Sequence, residues 1–279
     1  MNVYEIITEQ IIEKLNKGEI PWHQPWTGSA PKNLVSKKEY RGINPFLLGC
    51  QRYSSPYWLS YKQAKDLGGH VKKGEKSTIV VFWKRVNVKD RENEDSEKTV
   101  PMLRYYRVFN SDQCELPDGK VPMIDVNPDF QPIAACDKVV TDMQNKPDIE
   151  HREPRAYYRP STDSVNMPKK ETFVKEEFYY SVLFHELGHS TGHKSRLDRK
   201  DFAEGCFGSE TYSKEELVAE MTAAFLCGHC KIENKTIENS AAYIKSWLRK
   251  LKDDSKMVVL AAAAAQRAAD YILNKNYND

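Results

Sequence analysis

The sequence lacks long apolar runs. Its 279 residues hold no stretch of 18 or more consecutive apolar residues, and the mean hydropathy is −0.69. Since a transmembrane helix needs about 20 such residues, an ordinary membrane-spanning helix is not expected. The first residues also lack the basic start and the apolar core of a secretory signal. We therefore expect a cytoplasmic protein that does not bind a membrane.

The chain also lacks a disulfide framework. Its six cysteines are scattered, and in a cytoplasmic chain of this length they are expected to be buried apolar residues or free thiols. Cys227 and Cys230 form a Cys-x-x-Cys pair, a spacing that can bind metal or exchange disulfides. Because no second pair accompanies it, we interpret this pair as structural.

The net charge is close to zero, but it is unevenly distributed. Residues 1–89 hold 15 Lys and Arg against 7 Asp and Glu, whereas the remaining residues hold 27 against 33. A basic first third therefore precedes an acidic remainder. Concentrated positive charge is typical of nucleic-acid-binding domains, although the same lysines also suit a solvated surface.

Aromatic residues stand among the cations of this basic third. Bases of an unpaired strand stack on aromatic rings while Lys and Arg neutralise phosphates, so the mixture predicts binding of single-stranded DNA. The alternative is that the rings fill a core, which is their more common role. The candidate DNA-binding residues are Trp58, Tyr61, Lys62, Lys72, Lys73 and Lys76.

Two histidines four residues apart mark a candidate metal site. His185 and His189 enclose Glu186 in a His-Glu-x-x-His motif that follows an apolar run at 178–184. On a helix, side chains four apart lie on one face, so both imidazoles can bind one cation while Glu186 faces a water molecule. Burying two imidazoles without a partner is costly, which favours a metal over a merely structural pair. The motif predicts a Zn²⁺ site with Glu186 as general base.

A catalytic zinc site needs a third protein ligand. Residues 212–226 have the apolar spacing of a helix, for which Ser213 is the predicted N-cap, and Glu216 and Glu220 lie one turn apart on it. We predict Glu216 as the ligand and Glu220 as the acceptor of the second ring proton of a ligating histidine. The alternative is that Glu216 forms a capping box with Ser213 and that Glu220 binds the metal.

A longer zinc motif, His-Glu-x-x-His-x-x-Gly-x-x-His, is followed only in part. The chain matches it as far as Gly192, but Ser195 occupies the position of the third histidine. His193 is present two residues earlier, directly after the glycine that is expected to end the helix. We therefore rank glutamate above His193 as the third ligand.

The remaining patterns predict an α+β protein of two domains. Helices are expected at 3–16 and 60–67, and a helix or helix pair within 241–273. Strands are expected at 77–83 and 102–109, with a charged, solvated hairpin arm at 86–98 between them. Two short strands are expected within 155–168, where an edge strand beside the zinc helix can pair with an extended peptide or serve only as scaffold. The predicted division is a DNA-binding domain at 1–115, a proline-rich connector with short elements at 116–154, and a metallopeptidase domain at 155–279.

Taken together, these residues resemble a known family. Residues 183–197, followed by 212–226, are similar to the zincin-type metallopeptidase domain of ArdC-like antirestriction proteins, which conjugative elements carry. Residues 18–22, 40–44 and 73–76 resemble the single-stranded-DNA-binding domain of that family. The resemblance follows the order of the family over nearly the whole chain, apart from the arm and the connector.

The resemblance implies an antirestriction protein that binds single-stranded DNA and carries a zinc metallopeptidase site. The implied protein substrate is a host restriction component or a similar protein. One alternative is a non-catalytic, DNA-binding module that occludes restriction and retains a structural or relic metal site. Another is an enzyme of phosphoester chemistry, which the His-Glu-x-x-His motif disfavours, because magnesium sites are built from carboxylates.

Overall fold

The computed structural model describes residues 2–22, 30–89, 97–123, 131–199, 210–232, 234 and 241–275. The helices in these ranges are α1 (Val3–Asn16), α2 (Asn44–Gly49), α3 (Tyr61–Asp66), α4 (Pro132–Asp142), α5 (Glu176–Ser190), α6 (Glu210–Cys230), α7 (Ala241–Asp253) and α8 (Met257–Ile272). The strands are β1 (Lys32–Asn33), β2 (Tyr57–Leu59), β3 (His70–Val71), β4 (Thr78–Lys89), β5 (Glu97–Asn110), β6 (Cys114–Glu115), β7 (Asp148–Glu150), β8 (Tyr157–Arg159) and β9 (Ser164–Asn166). The predicted α+β class is confirmed. None of the helices in these ranges is both long and apolar enough to cross a membrane.

Local signals determine where the first helices begin. The helices predicted at 3–16 and 60–67 are confirmed as α1 and α3. Each starts with a capping box, formed by Asn2 with Glu5 and by Ser60 with Gln63. In such a box each side chain accepts a hydrogen bond from the backbone N–H of the other residue, which satisfies donors that the first turn leaves open.

The largest sheet has the strand order β1-β2-β5-β4. Its β4 and β5 pair antiparallel and confirm the strands predicted at 77–83 and 102–109. The hairpin arm predicted at 86–98 continues these strands, because β4 extends to Lys89 and pairs there with the start of β5 at Glu97. Residues 90–96 of that arm lie outside the described residues.

A second sheet has the order β7-β9-β8 and lies beside α5. Its antiparallel strands β8 and β9 confirm the pair predicted within 155–168. Strand β7 and the 11-residue helix α4 come from the predicted connector at 116–154. Proline suggested irregular chain there, but Pro132 lies in the first turn of α4, where proline is favoured because its missing N–H has no helical partner.

One hydrophobic core joins the two ends of the chain. It contains buried residues of α1 and α2 together with those of α5, α6 and α8. Phe46 of α2 meets Phe225 of α6 with ring centroids 4.9 Å apart, and Trp22 meets Trp247 of α7 at 5.8 Å. The helix pair predicted within 241–273 is confirmed as α7 and α8. The domain boundaries at 115 and 155 stay a prediction.

Helices α5 and α6 approach closely at Gly188. A Cβ atom at this glycine would lie 3.1 Å from the Cα of Ala219, 3.3 Å from its carbonyl oxygen and 3.2 Å from the Cβ of Thr222. Because backbone atoms cannot rotate away, we expect Gly188→Ala to push the helices apart and to lower the free energy of unfolding by about 1–2 kcal/mol, even after the gain in helix propensity. Urea unfolding of the metal-free protein measures this change, and wild-type stability in the variant would contradict the contact.

Candidate metal centre

The close approach of α5 and α6 brings three potential metal ligands together. His185 and His189 lie one turn apart on α5, and Glu216 faces them from α6. The two Nε2 atoms are 3.1 Å apart, and the carboxylate oxygens of Glu216 lie 3.6 Å from Nε2 of His185 and 3.5 Å from Nε2 of His189. The structure thus places the predicted ligand set in one cluster.

The cluster is close to the size of a tetrahedral metal site. Zinc bonds of about 2.0–2.1 Å at tetrahedral angles put neighbouring ligand atoms about 3.3–3.4 Å apart. The two Nε2 atoms are 3.1 Å apart, and Glu216 approaches each of them with a different oxygen, one of which lies within 4.8 Å of both. Two imidazole nitrogens and one carboxylate are also a donor set that catalytic zinc sites use. The residues present therefore fit such an ion. Among the described residues, His193 lies outside the cluster, and its Nδ1 lies 2.8 Å from the hydroxyl of Ser195.

Carboxylates dominate the electrostatics of the cluster. Burial lowers the pKa of His185, but neighbouring carboxylates, Glu216 first among them, outweigh burial and raise that pKa to about 9. Glu186 adds to this effect through its charge, and it is itself 8% exposed. A site that holds a proton this firmly at neutral pH has an excess of negative charge, which is a suitable surrounding for a divalent cation.

Glu220 does not have the bond that the sequence predicted. It accepts hydrogen bonds from Nε1 of Trp22, at 2.7 Å, and from the hydroxyl of Tyr243. Nδ1 of His185 is buried and has no hydrogen-bond partner among the described residues. Burial raises the pKa of Glu220 to about 7. Through one oxygen, Oε2, Glu220 ties α6 to Trp22 and to α7, and its role as acceptor of a histidine proton stays a prediction.

The sequence analysis missed Glu215. Its carboxylate lies beside Nδ1 of His189, the ring nitrogen that points away from Glu216. Oε1 of Glu215 lies 3.6 Å from this Nδ1. Arg199 holds Glu215 with two nitrogens, one of them 3.0 Å from Oε2, and also donates to the carbonyl of Gly188 at 3.0 Å. The sequence pointed to the adjacent Glu216 instead, because it does not show which of two neighbouring carboxylates lies beside which ring nitrogen of a histidine.

We expect Glu215→Gln to weaken metal binding by about 10- to 100-fold, the usual effect of removing a carboxylate that orients a ligating histidine. The amide can still accept from Arg199, so the fold should be preserved. Competition with a chromogenic chelator measures the affinity, and thermal unfolding of the metal-free variant is the control. An unchanged metal affinity would show that Glu215 does not orient His189.

The start of α6 bears on the alternative ligand assignment. The helix begins at Glu210, so the prediction of Ser213 as N-cap was wrong, and Ser213 lies inside the first turn. The capping-box alternative for Glu216 therefore loses its basis, because a capping residue must precede the helix. The side chain of Ser213 lies outside the described residues.

Two family models match the chain. Residues 1–109 match the N-terminal domain of anti-restriction factor ArdC, and residues 135–264 match a zincin-like metallopeptidase. The metal-free crystal structure of the antirestriction protein ArdC from plasmid R388 has a TM-score of 0.78 at 36% identity, over 99% of this chain and 100% of that chain. The chain belongs to the ArdC antirestriction family.

Further relatives of this ArdC-family chain differ in length. The uncharacterized protein y4eC of Sinorhizobium fredii is 36% identical over 97% of this chain and 91% of its own length. DNA primase TraC of Escherichia coli is 35% identical over 97% of this chain, but the match spans only 27% of that primase. R388 ArdC also has a Mn(II)-bound structure, with a TM-score of 0.78 and 37% identity over 98% of each chain. The zincin-like domain implies a metal, and the Mn(II)-bound structure of R388 ArdC agrees with this.

The residues predicted to bind DNA fall into two groups in this ArdC-family fold. Trp58 is only 2% exposed and packs against Tyr53, with ring centroids 5.6 Å apart, so its prediction as a stacking residue was wrong. The alternation of side chains along a strand cannot show that other elements cover both faces of the sheet at β2, where Trp58 and Leu59 are both buried. The other predicted residues are exposed on α3 and around β3, and they are Tyr61, Lys62, Lys72, Lys73 and Lys76.

The cysteine pair of the family chain has the structural role that was predicted. Cys227 and Cys230 are both fully buried in the core, close to Cys136 of α4, and they are free thiols. They lie in the last turn of α6, which ends at Cys230. Burial raises the pKa of Cys227 to about 12, which makes it a poor nucleophile and metal ligand.

Proposed function

We propose that this chain is an antirestriction protein that binds incoming single-stranded DNA and hydrolyses peptide bonds in a protein met beside that DNA, such as a host restriction component. The observation that carries the proposal is the cluster of His185, His189 and Glu216, whose potential ligand atoms all lie within 4.8 Å of one another. The function places the activity in the cytoplasm, where transferred DNA meets restriction enzymes. We assign DNA binding to residues 1–115 and hydrolysis to residues 155–279.

In the proposed reaction, His185, His189 and Glu216 would hold a zinc ion. Zinc at such a site acidifies water and polarises a carbonyl group. Glu186 takes the proton of the attacking water and delivers it to the leaving nitrogen, the task of the glutamate in His-Glu-x-x-His sites.

Strand β8 is the proposed support for the substrate backbone. It is an edge strand of its sheet in the described part of the chain, and it contacts α5. Arg196 fixes this sheet to the end of α5, because its guanidinium bonds Asp163 in the turn between β8 and β9, and donates to the carbonyl of Ser190 at 2.7 Å. An extended peptide can pair with the free edge of β8, beside the helix that carries His185 and His189.

The peptidase is tested with an unfolded protein such as casein. We expect the zinc-loaded chain to cleave it in the presence of single-stranded DNA, to lose activity with a chelator, and to recover it with added zinc. Magnesium-dependent activity without bound zinc would instead support phosphoester chemistry. No cleavage of casein or of a restriction enzyme by the zinc-loaded chain would contradict the proposed hydrolysis.

The DNA-binding half has a separate test. Binding to a labelled oligonucleotide should favour single strand over duplex. It should also weaken steeply with salt, because the Lys and Arg side chains of the protein release counterions from the DNA phosphates when they bind. The basic charge of residues 1–89 supports this proposal. Binding that is independent of salt, or no binding, would contradict it.

A further inference from the structure

Hairpin β4–β5 exposes rings and cations on the face that it shares with Trp58. Side chains alternate between the two faces of a strand, so Phe82 and Lys84 of β4 lie on the same face as Arg104 and Tyr106 of β5. We call these four residues the hairpin patch. All four are exposed, with 42% of Phe82 and 39% of Tyr106 open to solvent.

The sheet holds the two rings of the hairpin patch in fixed positions. Phe82 lies directly opposite Arg104, and Tyr106 lies opposite Val80, so the two rings are diagonal neighbours. Their centroids are 5.7 Å apart in an edge-to-face arrangement. Val80 is fully buried on the same face, in a cluster with Trp58. The patch is therefore the exposed continuation of a packed sheet face.

The charge of the strands around the patch is mainly positive. Strands β4 and β5 contain six Lys and Arg, and their single acidic residue is Glu97, which lies at the far end of the hairpin opposite Lys89. In the part of the chain that the structure describes, Lys84 and Arg104 have neither an ion pair nor a side-chain hydrogen bond. Exposed cations beside exposed rings, with no carboxylate among them, are complementary to a polyanion that also offers flat apolar faces.

We propose that the hairpin patch is the surface that binds single-stranded DNA, with bases stacked on Phe82 and Tyr106 and phosphates bound by Lys84 and Arg104. The inference rests on the proposed DNA binding and assigns its location. A duplex fits less well, because its base faces are already stacked inside the helix. The residues predicted from sequence fit less well too: Tyr61 is the single exposed ring among them, and Lys72 donates to the backbone carbonyl of Asp112 at 2.9 Å.

Ring removal in the full chain tests the stacking. We expect Phe82→Ala and Tyr106→Ala each to weaken binding of a fluorescent oligothymidine by about 5- to 150-fold, the range for one stacked base. Tyr106→Phe keeps the ring and should bind like wild type. The matched control is Tyr105→Ala, since Tyr105 is 43% exposed but lies on the opposite face of β5, and it should bind within about twofold of wild type.

Cation removal tests the phosphate contacts. The double variant Lys84→Ser with Arg104→Ser should make the plot of log affinity against log salt less steep by about 1.4, because each phosphate contact on a single strand contributes about 0.7. The ring variants should leave that slope unchanged. Thermal unfolding shows whether each variant is folded, and only variants with a wild-type transition are compared.

The outcomes separate this inference from the proposed function. If wild type binds no oligonucleotide, the proposed DNA binding fails. If wild type binds but the two ring variants bind equally well, DNA binding stands and the patch is overturned. If Tyr105→Ala weakens binding as much as Tyr106→Ala, the assignment to this face is overturned. Loss confined to Phe82, Tyr106, Lys84 and Arg104 variants supports it.

Discussion

We expect Glu186→Gln to keep its metal and to lose peptide-bond hydrolysis by about 10²- to 10⁴-fold, the usual contribution of a positioned general base. Glutamine has nearly the same shape as glutamate but cannot take a proton from water. Since His185, His189 and Glu216 are unchanged, the three potential ligands remain in place. Single-turnover cleavage of casein, measured beside the zinc content of the same samples, gives both quantities.

The control for this variant is His185→Ala, which should lose both the metal and the activity. Cleavage by Glu186→Gln at the wild-type rate would refute the general-base assignment. Antirestriction activity in recipient cells should be measured with the same two variants. If both retain it in full, the alternative of a DNA-binding, restriction-occluding module is supported, and hydrolysis is not required for antirestriction.

The two glutamates of α6 should differ sharply in their effect on metal affinity. Glu216→Gln removes a carboxylate that lies within 3.6 Å of both Nε2 atoms, and we expect it to weaken zinc binding by more than about 100-fold. Glu220→Gln should weaken it by about 10-fold or less, because this side chain is engaged with Trp22 and Tyr243. Glutamine can still accept from both of these donors, so the variants are matched in size and chemistry.

Competition with a chromogenic chelator at constant pH measures both affinities. Unfolding of the metal-free variants shows whether either substitution damages the core around Trp22. A larger loss with Glu220→Gln than with Glu216→Gln would reverse the assignment and make Glu220 the third ligand, as in the alternative considered from the sequence.

Short-range signals predicted much of the fold and the histidine pair. The capping residues, apolar spacing and strand alternation depend on neighbours in sequence, and they located α1, α3, the cores of β4 and β5, and the helix pair α7–α8. The His-Glu-x-x-His motif needs only one helix to place both imidazoles on one face. Such features do not depend on how distant segments pack.

Features that depend on packing could not be predicted. Which carboxylate of α6 lies beside each ring nitrogen of His189 is determined by the rotation of α6 against α5, and the two helices touch at Gly188. Trp58 and Phe82 both stand in strand-like patterns, but only Trp58 is covered by other elements. The partner of Glu220, Trp22, is 198 residues away in sequence. Pairing at such separation leaves no local pattern.

The central claim is that His185, His189 and Glu216 form a zinc site, and the most direct test is the metal content of wild type and His189→Ala. Both are purified without chelator, dialysed against the same trace of zinc, and analysed by mass spectrometry of the metal. We predict about one zinc ion per chain in wild type and almost none in His189→Ala, with both proteins folded. Equal zinc in the two proteins, or a folded wild type that takes up none, would contradict the account.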